Sequence, residues 1–269
     1  MRAQLYLVAR LVILALGGCA AAPEEPVEVD DALVASSASP AADNAVVHLY
    51  ASTGGPGRFC TGTLVAPNLI LSAAHCFFSQ GSDVPVLDGS RFANAYFGHD
   101  ASSGISALKR VEVRQIHAMP DRSADIAIAE LASAIIDVRP QVVGLDDTVP
   151  AFREVTAIGW GSTENSGEFD VLPKFRQKRA LRTIWQTESE QTTSGGVCSG
   201  DSGGPLLYHN RLVGVARAGT FIGNDGLCGL VRLRSMYSRG AAVHSFVKKT
   251  IAERGASTPA LKLFATSNL

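Results

Sequence analysis

What the 269-residue chain lacks narrows it first. Neither sign of charge is in excess: Lys and Arg number 24 against 25 Asp and Glu, a formal net charge of −1. There is no electrostatic footprint for nucleic acid or an anionic membrane surface. The run KFRQKRALR at 174–182 is a local positive cluster, and such runs are expected on strand or loop surface. No Cys-x-x-Cys pair occurs, which argues against a structural zinc site, and neither a metal nor an organic cofactor is implied. No internal repeat is present, and no Lys or Arg lies between Arg10 and Arg58. Apolar residues are not scarce: 46% of positions are hydrophobic, enough for one large domain or two small packed ones.

The first segment, MRAQLYLVARLVILALGGC, carries Arg2 and Arg10 ahead of an apolar centre at Leu11 to Leu16. Residues 1–18 read as a signal peptide and stand outside the fold. The end of that segment, Leu16-Gly17-Gly18-Cys19, resembles a bacterial lipobox, in which the cysteine receives a diacylglyceryl thioether and becomes the new N-terminus. Ordinary cleavage after Ala20-Ala21-Ala22 competes, and Pro23 would then follow the cut. Parity favours lipidation: Cys19, Cys60, Cys76, Cys198 and Cys228 are odd in number for an exported chain. A lipid on Cys19 leaves four for two disulfides in an oxidising compartment. The expected location is extracytoplasmic, as a membrane-anchored lipoprotein of the periplasm or cell surface.

Residues 19–44 are rich in Ala, Ser and Pro and carry only acidic charge, the composition of a disordered tether. From Ala45 the texture changes to short runs rich in Val, Ile, Leu and Thr between Gly, Pro, Asp or Asn. The runs 46–50, 63–73, 108–116, 125–131, 154–160, 179–185, 204–208 and 211–219 read as strands. Many short strands with frequent turns predict an all-β sandwich or barrel. In 240–255, Val243, Phe246, Val247, Thr250 and Ile251 share one face before Gly255, which predicts a C-terminal helix. The domain is expected over 45–254, with a tail at 255–269.

The stretch CSGDSGGP at 198–205 sets one serine among glycines. It suits a tight turn, and equally a nucleophile whose neighbouring backbone N–H groups must be open to an oxyanion. Gly200-Asp201-Ser202-Gly203-Gly204 also satisfies G-x-S-x-G, but that elbow needs an acid and a histidine after the serine. Only His209 and His244 follow Ser202, and helices between the strands are missing.

Upstream lie LSAAHC (71–76) and SADIAIAEL (123–131), in the chain order His75, Asp125, Ser202. A serine hydroxyl needs a base during attack, and an imidazole titrating near neutrality suits that role. The imidazole in turn needs a carboxylate to orient it and to stabilise its cation. With GTLVAPNLILSAAHC, DIAIAEL, VTAIGWGST and VCSGDSGGP in succession, the chain from about Ala45 to Arg254 resembles the chymotrypsin-like (trypsin-like) serine proteases. The resemblance implies two packed six-stranded antiparallel β-barrels with the site between them. It implies His75, Asp125 and Ser202 as catalytic triad, and the N–H groups of Gly200 and Ser202 as oxyanion hole. Disulfides Cys60–Cys76 and Cys198–Cys228 are implied, as is cleavage of a protein or peptide substrate by an endopeptidase. A non-catalytic binding module and an esterase on the same scaffold are the rival readings. The remaining histidines, His48, His99, His117, His209 and His244, are expected to be structural. Asp100, Asp121, Asp137 and Asp201 are rival acids outside the matching motif.

Departures from the family pattern bear on specificity and activation. The base of the primary pocket aligns with Gly196, beside Val197, and no carboxylate stands there. A preference for Lys or Arg is therefore not expected. Arg217 and Gly219 lie on the strand aligned with substrate binding, and Arg217 either reaches the pocket and favours acidic side chains, points to solvent, or pairs with a surface acid. The stretch from Thr220 to Leu227 is longer than the usual connection to the second pocket cysteine and is expected to occlude the pocket in part. Zymogens of the resembling family free an apolar N-terminus that pairs with the aspartate before the nucleophile, here Asp201. With no basic cleavage site in the tether and no Ile-Val-Gly-Gly start, Asp201 is expected to be satisfied by donors within the domain. The alternative is a cut near Ala32-Leu33-Val34.

Overall fold

The computed structural model describes residues 37–38, 43–53, 57–78, 91–162, 175–222 and 231–256. Its elements are β1 Ser37–Ala38, β2 Val46–Thr53, β3 Arg58–Ala66, β4 Leu69–Ala73, β5 Arg91–Phe97, β6 Lys109–Ala118 and β7 Ile126–Leu131. They continue with β8 Val142–Val143, β9 Glu154–Gly159, β10 Gln177–Gln186, β11 Glu190–Ser194, β12 Pro205–Tyr208, β13 Arg211–Ile222 and β14 Val231–Ser238, and close with helix α1 Ala241–Arg254. The first barrel closes in the order β2-β3-β4-β7-β6-β5. The second runs β10-β11-β14-β13-β12-β9 and closes through a β9–β10 pairing, with β1 appended to β10 and β8 to β13. Every pairing is antiparallel except β8 with β13. This is the expected pair of six-stranded antiparallel barrels with a C-terminal helix.

Strand alternation builds two cores from the same residues' neighbours. In β7, Ala127, Ala129 and Leu131 point into the first barrel with Val47, Leu49, Leu64 and Ile70. Ile126 and Ile128 point the other way, packing with Leu69, Leu71, Ile158, Leu212 and Val215 and with Val243 and Val247 of α1. Both faces of β4 and β7 are buried, which is why LILSA and IAIAEL read as nearly unbroken apolar runs. A third cluster of Val155, Leu181, Leu206, Val213 and Tyr237 fills the second barrel.

Several boundaries differ from the pattern-based expectation. The 63–73 run is broken by a turn at Pro67-Asn68 into the ends of β3 and β4. The strands β5, β11 and β14 are not among the expected runs, and β11, EQTTS, holds no apolar residue. In β11 the side chains of Gln191, Thr192 and Thr193 are buried, and Gln191 Nε2 donates to the Trp185 carbonyl at 2.9 Å. Within the stretch expected as tether, Ser37 and Ala38 pair with Lys178 and Gln177, since ladder bonds use the backbone and need no apolar side chain. The signal peptide, Cys19, most of the tether, Cys228 and residues 257–269 lie outside the described residues.

The surface reading of the 174–182 run is corrected. Arg176 and Arg179 are buried. Arg176 NH1 donates to the carbonyls of Val46 and Gly98 at 2.9 and 3.0 Å, tying the start of β10 to the first barrel. Burial pushes its pKa down to about 10, so it stays cationic at neutral pH.

Acid sensitivity is built into the first barrel. His48 is fully buried beside the rings of Phe59, Tyr96 and Trp160, and neither ring nitrogen meets a partner among the described residues. Burial pushes its pKa down to about 3. Between pH 6.5 and that value the unfolded chain takes up a proton that the folded chain refuses, so stability falls as pH falls. Glu130 acts in the same direction: burial raises its pKa, but hydrogen bonds from Arg114 and His117 outweigh that and hold it lowered. Its stabilisation, present at neutral pH, is lost as acid protonates it. His48→Phe is expected to remove about 2 kcal/mol of the stability loss between pH 6.5 and 4.5. Parallel denaturant titrations of both proteins at the two pH values check this, and an unchanged pH slope would refute it.

Candidate active site

The histidine sits where β4 ends. A 3-10 turn, Ala74–Cys76, projects His75 from the seam, and the disulfide Cys60–Cys76 fastens that turn to β3. Closing a loop of this length contributes about 3 kcal/mol in the chain-entropy account. The acid sits where β7 begins. Asp121 accepts the Ser123 amide at 2.9 Å to open a second 3-10 turn, Arg122–Ala124. Asp125 then closes it in the left-handed region, at φ 52° and ψ 46°. An aspartate tolerates that conformation at modest cost, and such strain collects at functional sites.

This twist delivers the carboxylate to His75. Asp125 Oδ1 accepts the His75 amide at 2.8 Å, and Oδ2 lies 2.7 Å from Nδ1 of the ring. The Asp125 carbonyl also accepts the Ala74 amide at 3.0 Å. Three contacts therefore lock the two turns together. The Asp125 side chain is 16% exposed and that of His75 39%, a shielded acid behind an open imidazole. With the carboxylate on Nδ1, the ring proton is held there and Nε2 keeps its lone pair.

The serine arrives from the second barrel, on the loop between β11 and β12. Thr61 of β3 stitches it to the first barrel: its amide donates to the Ser202 carbonyl at 2.8 Å, and its Oγ1 donates to the Gly200 carbonyl at 2.8 Å. The same Oγ1 accepts the Trp160 amide at 3.0 Å. Gly203 has φ +82°, and a Cβ there would overlap Ser72 Oγ and the Thr61 carbonyl oxygen. Only glycine lets the two barrels approach this closely. Gly200, at φ +93°, lies against the backbone of Trp160 and Gly161. The amides of Gly200 and Ser202 meet no acceptor among the described residues. No hydrogen bond joins Ser202 Oγ to His75, whose ring partner is Asp125; such bonds commonly tighten only when substrate is seated.

Asp201, inside this loop, is buried and fully met. Arg179 NH1 donates to Oδ2 at 2.8 Å, the Cys198 amide to Oδ2 at 2.9 Å, and the Gly161 amide to Oδ1 at 2.8 Å. Asp201 therefore belongs to loop architecture. Asp100 and Asp121 bond their own neighbours Ser102 and Ser123, and Asp137 pairs with Lys109 at the surface. His117 and His244 pair with Glu130 and Asp146.

Of the residues expected at the pocket, Gly196 and Val197 both donate their amides to Ser235 Oγ, at 3.0 and 3.1 Å. Arg217 stands where the β13–β14 register slips between Ala216 and Ala218. Its side chain is half-exposed and lies 3.9 Å from Glu190, an ion pair at the surface. Gly219 pairs with Ser235 across the same ladder. Cys198 is disulfide-bonded; its expected partner Cys228, and the stretch from 223 to 230, lie outside the described residues. Among the described residues, the grouping of metal-type atoms at Cys60, His75 and Cys76 includes two sulfurs already joined to each other, so it offers no thiolate.

Thr61, Arg179 and Ser235 went unmarked by motif. A signal for Arg179 was present: it lies in phase with Leu181 and Thr183, the buried face of β10, while Ala180 and Arg182 are exposed. Thr61 and Ser235 carry none, because their partners lie far away in sequence.

Comparison with known proteins agrees with this fold. The chain is 29% identical over 209 residues to a trypsin of Saccharopolyspora erythraea, covering 72% of this chain and 87% of that protein. It is 26% identical over 221 residues to trypsin 5G1 of Aedes aegypti, covering 72% and 76%. Among solved structures, mouse neuropsin superposes with a TM-score of 0.61 at 20% identity, over 79% of this chain and 96% of that one, a likeness of fold. The trypsin family model matches residues 34–236. The chain belongs to the trypsin family of serine proteases.

Proposed function

We propose that this serine endopeptidase cleaves peptide bonds through Ser202, His75 and Asp125, by way of an acyl-enzyme. The observation that carries the reading is the double attachment of Asp125 to His75, at Nδ1 and at the backbone amide. It leaves Nε2 as the base on the open side of the ring. Ser202 Oγ attacks the scissile carbonyl carbon while Nε2 takes its proton, and Asp125 stabilises the resulting imidazolium. The negative oxygen is received by the N–H groups of Gly200 and Ser202. Collapse breaks the C–N bond, with the Nε2 proton passing to the leaving amine. Water then repeats the sequence on the acyl-enzyme and frees Ser202.

Ser202→Ala removes one half-exposed hydroxyl from a loop held by its backbone. Its kcat is expected to fall about 10⁶-fold, with unchanged thermal unfolding and loss of fluorophosphonate labelling. More than a few per cent residual hydrolysis in a pure sample would refute the assignment.

The pocket floor supports a substrate class. Ser235 Oγ accepts two amides there, Leu181 packs beneath Gly196, and no carboxylate touches Gly196 or Val197 among the described residues. A P1 cation buried there would meet no carboxylate among the described residues. Small or apolar P1 groups are expected to lead, with Lys and Arg at least about 100-fold lower in kcat/KM. Arg217 is engaged by Glu190, which ranks acidic P1 groups second. Profiling against a mixed peptide library decides this, and an optimum at Arg would overturn it.

Anchoring through a lipid on Cys19 is the proposed mode of membrane attachment. No helix among the described residues is long and apolar enough to cross a membrane. Each buried CH₂ contributes about 0.8 kcal/mol, so several acyl chains hold firmly and none does not. Cys19→Ser is expected to move the protein from the membrane to the soluble fraction. Wild-type protein recovered wholly soluble, with Pro23 first, would reject the anchor.

A further inference from the structure

Arg179 reaches two parts of the site at once. From NH1 it donates to Asp201 Oδ2 at 2.8 Å and also to the carbonyl of Gly196. Asp201 is the residue between Gly200 and Ser202; Gly196 is the pocket floor. The Arg179 and Asp201 side chains are 6% and 7% exposed. Stability alone does not account for such a pair, since apolar replacements of buried ion pairs are often neutral or stabilising. Here Arg179 Nε is also buried with no acceptor among the described residues, a further cost.

We propose that Arg179 is the positioning residue of this protease: the fixed internal cation that holds Asp201 inward, sets the oxyanion loop and the pocket floor, and makes a newly freed N-terminal amine unnecessary. The inference rests on the reading of Ser202 as nucleophile. The space around the carboxylate supports it. A Cβ on either Gly159 or Gly161 would overlap the Asp201 side chain, so glycine at both positions clears a slot beside the carboxylate. Within that slot the three donors from Arg179, Cys198 and Gly161 already satisfy Asp201 and neutralise its charge. Drawn inward, Asp201 holds Gly200 at φ +93°, and the Gly200 and Ser202 amides are left without internal acceptors. Without the cation, an unpaired carboxylate is expelled toward water and takes the loop with it. The second bond, to Gly196, couples the floor to the same guanidinium. No basic residue occurs between Arg10 and Arg58 to direct a tryptic activating cut, which fits a site assembled by folding alone.

The test uses the full-length protein. Wild type must first label with fluorophosphonate and hydrolyse peptides; failure there sinks the protease reading and not the role of Arg179. With wild type active, Arg179→Met is expected to lower kcat/KM at least about 100-fold, with kcat falling and KM rising, because both oxyanion hole and floor loosen. Adding methylguanidinium to Arg179→Ala is expected to restore about 10-fold or more of the lost activity, a rescue that a merely space-filling role would not show. Full activity of Arg179→Met, or no rescue of a folded Arg179→Ala, would overturn the proposal. Should neither variant fold, intact mass of the labelled wild type decides. Labelled chains uncut between Ala32 and Ala38 support the internal cation, whereas labelling confined to chains with a new N-terminus in that range overturns it.

Discussion

A carboxylate buried one residue before the serine imposes the constraint on which the site depends. Asp201 cannot be left unpaired at that depth, and its three donors come from β10, from the turn after β9 and from the serine loop itself. Meeting them forces the side chain inward. The Gly200 and Ser202 amides on either side meet no acceptor among the described residues, and the proposed oxyanion site thus follows from where a negative charge finds its partners.

The second barrel supplies that loop, and the first supplies His75 and Asp125. The two halves meet along a surface that is apolar except at a few directed contacts. Ile126, Ile128, Leu69 and Leu71 form the apolar part, together with residues of the second barrel and of α1. Arg176 supplies some of the directed contacts, to the carbonyls of Val46 and Gly98, and Thr61 supplies those at the serine loop, with bonds to the carbonyls of Gly200 and Ser202 and from the amide of Trp160. Apolar packing alone is non-directional. The hydrogen bonds of one threonine convert it into a defined placement of the serine loop against the histidine turn. The absence of a side chain at Gly203 allows that placement, since any Cβ there would occupy the space of Ser72 and Thr61.

The acid and base are held by local chain geometry rather than by distant packing. Asp125 ends a one-turn helix in a left-handed conformation, and its side chain bonds both the ring and the amide of His75. Small residues before His75 and apolar residues after Asp125 keep both turns close to the seam. The barrel interior holds a histidine of a different kind. His48 is enclosed by aromatic rings and its pKa is pushed to about 3, so it is a neutral packing element at neutral pH.

Much of this was legible in the sequence, and the division has a physical basis. Chemistry carried by short contiguous motifs could be read directly: CSGDSGGP, LSAAHC and SADIAIAEL each combine a reactive residue with the turn or strand that presents it. Strands buried on both faces, such as β4 and β7, announced themselves as apolar runs. β11 did not, because its buried side chains, Gln191, Thr192 and Thr193, are polar. Nor did Ser37 and Ala38, whose pairing is made by backbone groups that every residue carries. Residue type and local period carry the all-β class, and they also mark His75, Asp125 and Ser202, in that order, as the proposed reactive residues. Local pattern does not reveal that Arg179 points inward to Asp201, that Thr61 ties the serine loop to the first barrel, or that Arg217 turns to Glu190. Those assignments depend on which distant charges and hydrogen-bonding groups the closed barrels bring within about 3 to 4 Å.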